Sequence, residues 1–275
     1  MKKDLLSLLD FQLEDFEYLF TRAKELKKRH AQGIMDTPLA GKSVGLLFNK
    51  KSTRTRISFE TAAIQLGGHS IYMSASDTQI SRNEPVKDTA RVLSRYLDCL
   101  VIRTYDQSMV EEFAHYASIP VINALTDSFH PCQVLSDLMT VIEYKGGYKD
   151  VSIAWVGDGN NMANSWINAA VRLGFQLTLA CPEGFEVPSD ILEQAGAKGK
   201  SNIRFTADPV EAITNADVVN TDVWASMGEE DQLAKRIAAF QGFEVNARLL
   251  AHAKPDAIVL HCLPAHRGEE ISAEI

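Results

Sequence analysis

No stretch of this sequence reaches the roughly 18–20 consecutive apolar residues that a membrane-spanning helix needs. The opening residues, MKKDLLSLLDFQLEDF, interrupt their apolar positions with acids and lack a small-residue cleavage site, so no secretory signal is expected. Basic residues are also short: 28 Lys and Arg stand against 36 Asp and Glu, a net charge of −8. A general affinity for nucleic acid or anionic membrane is thereby excluded, because phosphate binding needs a basic surface. Cysteines number four, Cys99, Cys132, Cys181 and Cys262, with no CxxC pair and no framework. A reduced, cytoplasmic chain is the expectation. Internal repeats and low-complexity tracts are absent as well.

What remains has the composition of a globular protein, 45% apolar and 23% charged, with length enough for two domains. Residues 13–29 place Leu13, Phe16, Leu19, Phe20, Ala23 and Leu26 on one helical face. Short apolar runs then alternate with helical patterns. Strands are expected at 43–48, 70–73, 98–102, 120–122, 151–156, 176–180, 217–220 and 257–260. Helices are expected at 53–66, 85–96, 108–117, 132–144, 160–173, 189–195 and 208–215. That alternation predicts an α/β protein of two domains, each a mostly parallel sheet covered by helices, with the active site in the crevice between them. The glycines of YKGGYKD (144–150) break the regularity, so the domains are placed at 1–147 and 148–275.

Five constellations fall where expected strands end or helices begin. FNKKSTRTRISFE (48–60) concentrates four basic and four hydroxyl residues between Lys50 and Glu60. Unpaired N–H groups at a helix start, the hydroxyls of Ser52, Thr53 and Thr55, and the fork of Arg54 suit an anion. Lys50 and Lys51 are expected in solvent. GDGNNMANS (157–165) resembles a dinucleotide fingerprint, but Met162 stands in the third glycine's place. A loop using Asn160 and Asn161 on a small polar ligand is preferred to a nicotinamide site. HPCQ (130–133) sets His130 and Gln133 at a helix start, where capping is the plainer role. In HCLPAHRG (261–268), His261, Cys262 and His266 invite a zinc reading, with His130 and Cys132. The spacing lacks paired ligands, and adjacent His and Cys point to opposite sides of an extended chain. No metal is therefore expected. DVWASMG (222–228) offers Asp222 to a substrate ammonium or to a helix cap.

In order and spacing these motifs resemble those of the aspartate/ornithine carbamoyltransferase family, across nearly the whole chain. STRTR and HPxQ are common to that family, whereas the Ser-Met-Gly and His-Cys-Leu-Pro elements resemble the members that act on ornithine. The resemblance implies transfer of the carbamoyl group of carbamoyl phosphate to the side-chain amine of L-ornithine, giving L-citrulline and phosphate. Another amine, putrescine or acetylornithine, or a non-catalytic relative, is the alternative.

Carried over by residue, the resemblance implies that Ser52, Thr53, Arg54 and Thr55 hold the phosphate, with Arg103, His130 and Gln133 at the carbamoyl group. Gln79 would complete a neighbouring subunit's site in a homotrimer. Cys262 and Leu263 match a pair at the reacting end, so Arg103, His130 and Cys262 form the expected catalytic set. Asn161, Asp222, Ser226 and Met227 match the ornithine positions, and Arg56 is expected to brace the loop. No cofactor is implied. The motifs leave open arginine biosynthesis or catabolic citrulline breakdown. Family members usually continue past HCLP into a segment with another phosphate-contacting arginine and a final helix; the sequence stops at Ile275, so that helix is expected to be missing.

Overall fold

The computed structural model describes residues 3–74, 78, 84–197, 199–225 and 233–275, the side chains of 233 and 234 excepted. It divides into two compact units, Met1–Cys132 and Gln133–Ile275.

In the first unit α1 (Leu13–Ala31) leads to β1 (Ser43–Phe48), α2 (Arg54–Gln65), β2 (His69–Ser74), α3 (Val86–Leu93), β3 (Cys99–Arg103), α4 (Gln107–Tyr116) and β4 (Val121–Leu125). The α1 helix carries Glu14 and Asp15 in its first turn and Lys28, Arg29 and His30 in its last. Each charge thus opposes the helix dipole, while Phe16 and Phe20 are buried on the inner face. The four strands run parallel in the order β2-β1-β3-β4. Both faces are covered, as a parallel sheet requires. Val44, Leu46 and Phe48 pack with Ala63 of α2, and Leu47 with Ala90 of α3 and Phe113 of α4. The period of two along β1 decides which side chain meets which helix.

The second unit holds all of α5 (Pro131–Lys145) except its first two residues. It continues through β5 (Ser152–Val156), α6 (Asn161–Leu173), β6 (Gln176–Ala180), α7 (Ser189–Ala195), β7 (Ile203–Thr206), α8 (Pro209–Ile213), β8 (Val218–Thr221), α9 (Leu233–Ala239), α10 (Ala247–Leu250) and β9 (Ile258–His261). Its sheet is parallel, ordered β7-β6-β5-β8-β9. Asn160 caps α6, its side chain accepting from the N–H groups of Met162 and Ala163, and Gly174 ends that helix at φ 80°.

All eight expected strands are present. The sequence does not signal β7, an edge strand of four residues in which only Ile203 is buried. Nor does it signal α9, or α10, whose four residues are too few to display a helical period.

Candidate active site

In each sheet the chain winds outward in both directions from one strand pair, β1/β3 in the first unit and β5/β8 in the second. Ligands of open α/β sheets bind at the carboxyl ends beside such a reversal. The described motif residues lie at carboxyl ends of strands or in the loops and helix starts that follow them.

In the first unit, β1 runs into the loop that opens α2. Ser52 Oγ accepts the Thr55 N–H at 3.2 Å, and Arg103 donates from Nη1 to Thr55 Oγ1 at 3.2 Å. A hydroxyl that accepts one bond keeps its own hydrogen to donate, so both remain donors for an anion. Thr53 and Arg54 are exposed at the helix start. Arg103, at the end of β3, is only 6% exposed. Arg56 bonds Glu60 at 3.0 Å and lies 3.6 Å from the centre of the Tyr72 ring, bracing α2 on β2.

Lys51 is exposed, but Lys50 is not in solvent as expected. It is buried, pairs with Asp127 and lies 4.4 Å from the Tyr105 ring centre. The reason is tertiary: the loops after β3 and β4 supply a ring and a carboxylate that the local sequence of Lys50 cannot announce.

His130 follows β4 through a loop pinned by Thr126. The Thr126 hydroxyl accepts the Phe129 N–H at 3.1 Å and donates to Gln107 Oε1 at 2.8 Å. Burial, reinforced by the Arg103 charge, pushes the imidazole of His130 down to about 3. It is neutral at ordinary pH. The Cys132 thiol donates to the Asn123 carbonyl, and burial pushes it up to about 12, so it is no ready metal ligand.

In the second unit the glycines of GDGNN have local explanations. Gly157 sits at φ 146°, in the region that favours glycine. A Cβ on Gly159 would stand 2.4 Å from the backbone of Glu186 and Val187. The close approach that glycine allows here is made by the chain itself. Asp158 pairs with Arg236 at 3.0 Å, and Asn160 also donates to Asp222 Oδ2 at 3.2 Å. Asn160 therefore serves as cap and brace, leaving Asn161, half-buried at the first position of α6, as the motif's ligand candidate.

Asp222 lies buried at the end of β8. Desolvation holds its carboxyl above the usual range. The Cys262 thiol donates to Asp222 Oδ1 at 3.0 Å, and burial with that carboxylate pushes the thiol far up. Cys262 is a protonated donor, not a thiolate nucleophile. Beside it, His261 Nδ1 accepts the Leu263 N–H at 2.9 Å. The ring hydrogen therefore sits on Nε2 and donates to Glu270 Oε1 at 2.9 Å. Leu263 adopts φ 58°, unusual for a non-glycine residue. That turn ends the extended chain after β9. His261 and Cys262 do not point to opposite sides as expected: their ligand atoms and that of Asp222 lie within 4.8 Å of one another.

Gln133, in the first turn of α5, donates to Asp137 Oδ1 at 2.9 Å. The motif readings passed over Asp137, Glu270 and the His261–Glu270 pair. Asp137 did carry a signal, being the first charged residue in the apolar run that starts at Pro131. Of the expected site residues, Gln79, Ser226 and Met227 lie outside the described residues.

Residues 3–143 match the aspartate/ornithine carbamoyltransferase carbamoyl-P binding domain, and residues 149–275 match the Asp/Orn binding domain of the same family. The chain belongs to the aspartate/ornithine carbamoyltransferase family. Within it, the chain is 56% identical to ornithine carbamoyltransferase of Geobacter sulfurreducens, over 100% of this chain and 91% of that protein. The solved structure of ornithine carbamoyltransferase from Pyrococcus furiosus superimposes with a TM-score of 0.94 at 46% identity, over 99% of this chain and 88% of that one. An anabolic ornithine carbamoyltransferase from Campylobacter jejuni gives 0.92 at 41% identity, over 100% and 90%. Both domains of the family therefore have counterparts in this chain.

Proposed function

We propose that this protein transfers the carbamoyl group of carbamoyl phosphate to the side-chain amine of L-ornithine, forming L-citrulline and phosphate. The observation that carries this reading is the buried Asp222–Cys262 pair in the second unit, in a chain that resembles ornithine carbamoyltransferases along its whole length. A carboxylate with a neutral thiol suits the amine end of a cationic amino acid. It gives no reason to admit a carboxylate such as that of aspartate.

Ser52, Thr53, Arg54, Thr55 and the start of α2 take the phosphate. Arg103 and neutral His130 donate to the carbamoyl oxygen, and Gln133 contacts the carbamoyl nitrogen. Asn161, Asp222, Ser226 and Met227 take ornithine, with Cys262 and Leu263 at the reacting end. The amine must attack uncharged, since its ordinary pKa, close to that of lysine, is about 10.4. Its nitrogen bonds to the carbamoyl carbon, the carbon–oxygen bond to phosphate breaks, and the amine proton leaves with the phosphate. The oxygen that gains negative charge in the tetrahedral stage meets Arg103 and His130 as preset donors. A neutral imidazole gives its hydrogen without placing a second positive charge beside Arg103. Holding both substrates in register supplies much of the remaining rate.

The functional division is placed at 147/148, at the glycines that follow α5; the two family matches meet between 143 and 149. A homotrimer is part of the same proposal, with Gln79 reaching a neighbour's site. Its support is the apolar surface that the first unit leaves uncovered at α2 and the edge strand β2: Ile57 and Ile64, seven residues apart on α2, and Ile71 and Tyr72 on β2 are exposed, and only Ala63 of α2 is buried. Among the described residues no helix is long and apolar enough to cross a membrane, and the reduced cysteines fit a cytoplasmic setting. The citrulline-forming direction serves arginine biosynthesis, and the reverse direction the breakdown of citrulline.

The test is a colorimetric citrulline assay with ornithine, putrescine and acetylornithine in parallel. Preference for ornithine is expected, and preference for either other amine would overturn the assignment.

A further inference from the structure

Asp137 lies one helical turn beyond Gln133 on α5, and its Oδ1 accepts the Gln133 Nε2 hydrogen at 2.9 Å. The carboxyl is only 6% exposed, and its other oxygen, Oδ2, is buried without a hydrogen-bond partner among the described residues. Burying a carboxyl is costly, and a helix interior that needed only packing would be apolar here. The neighbours are: Val134, Leu138 and Val141 are fully buried.

A glutamine amide has an accepting edge and a donating edge of nearly the same shape, so its partners decide which way it faces. A carboxyl oxygen that accepts from Nε2 turns Oε1 the other way. Protonation at Oδ2 leaves Oδ1 able to accept, so this orientation holds in either charge state. The carbamoyl group of carbamoyl phosphate ends in an NH2, which only donates. Acetyl phosphate has the same shape, with a methyl in that place.

We propose that Asp137 is a positioning residue that locks the Gln133 amide with its oxygen towards the carbamoyl nitrogen, so that the site selects a carbamoyl over an acetyl group. The inference rests on the reading above that Gln133 contacts the carbamoyl group. A flipped amide would set donor against donor, and sites built to bond a substrate N–H reject analogues without one.

The experiment compares Asp137→Leu, Asp137→Asn and Gln133→Ala, and the Leu and Ala changes combined. It measures the KM of carbamoyl phosphate and the competitive inhibition constants of acetyl phosphate and inorganic phosphate. Asp137→Leu is expected to weaken carbamoyl phosphate about tenfold, the scale of one hydrogen bond, with acetyl phosphate and phosphate nearly unchanged. Asp137→Asn keeps an accepting oxygen and should restore most of the preference. In the Gln133→Ala background, Asp137→Leu should change it no further.

Parallel weakening of all three ligands, an unchanged preference in Asp137→Leu, or an Asn variant no better than Leu would each overturn the proposal. If Gln133→Ala alone left the preference intact, the Gln133 contact would fail and this inference with it. If Gln133→Ala removed the preference and Asp137→Leu did not, only the positioning role would fail.

Discussion

Cys262 donates its thiol hydrogen to Asp222 across 3.0 Å, and burial and that carboxylate together hold the thiol far above its ordinary pKa. A sulfur so placed is a hydrogen-bond donor that orients a carboxylate. On the proposed reaction, Cys262→Ala should lower kcat/KM for ornithine about tenfold, because a buried carboxylate oxygen loses its partner. Cys262→Ser, which keeps a donor, should lose less. Alkylation of the native protein near pH 8, followed by mass spectrometry, should leave Cys262 among the slowest thiols; rapid labelling would show that it ionises readily.

Arg54 and Arg103 should separate by their burial. Arg54 is exposed, so Arg54→Ala is expected to raise the KM for carbamoyl phosphate by about 10- to 100-fold, the loss of one charge-assisted bond, with melting unchanged. Arg103 is buried and tied to Thr55. Arg103→Ala should therefore depress both activity and melting temperature. Equal melting curves for the two variants would contradict the structure.

Asp137 predicts a pH-dependent stability. Desolvation, with the nearby Asp222 charge, pushes its carboxyl up to about 7 from an ordinary 3.8. The folded protein thus holds this proton more tightly than the unfolded chain does. The resulting stability is fully present below about 3.8 and is lost as pH rises to about 7. Asp137→Asn has no such proton. Its melting temperature relative to the parent should climb between pH 4 and 7 and level off above, as scanning calorimetry across that range would reveal. A gap independent of pH would mean that Asp137 stays ionised throughout.

Gly159 should tolerate no side chain. A Cβ there meets backbone atoms of Glu186 and Val187, which cannot swing aside as a side-chain tip could. Gly159→Ala is expected to destabilise by about 1–3 kcal/mol, the usual cost of overpacking, read as an earlier denaturant midpoint. Gly146→Ala is the control for glycine's backbone freedom alone, having φ 77° but open space around it.

The exposed isoleucines of α2 give the test of assembly. Ile57→Glu with Ile64→Glu should shift the mass in solution from trimer towards monomer, by light scattering. A trimer unaffected by both charges would place the contact elsewhere.

The sequence by itself determined the eight strands whose apolar runs are long enough to show, and the helices whose faces repeat over two turns or more. It also located the side chains of the proposed site by local chemistry: hydroxyls and Arg54 at a helix start, His130 before Pro131, and Asp222 after a buried strand. Each of these is legible because its cause lies within a few residues of chain. Only the tertiary structure decided the rest. Lys50 is buried because Asp127 and Tyr105 arrive from other loops. Gly159 is glycine because a distant stretch of backbone lies against it. Cys262 is a donor because Asp222, from a separate strand, stands beside it. Burial and partnership are properties of elements that meet in space. They set the charge of His130, Asp137 and Cys262, and with it the chemistry those side chains can do.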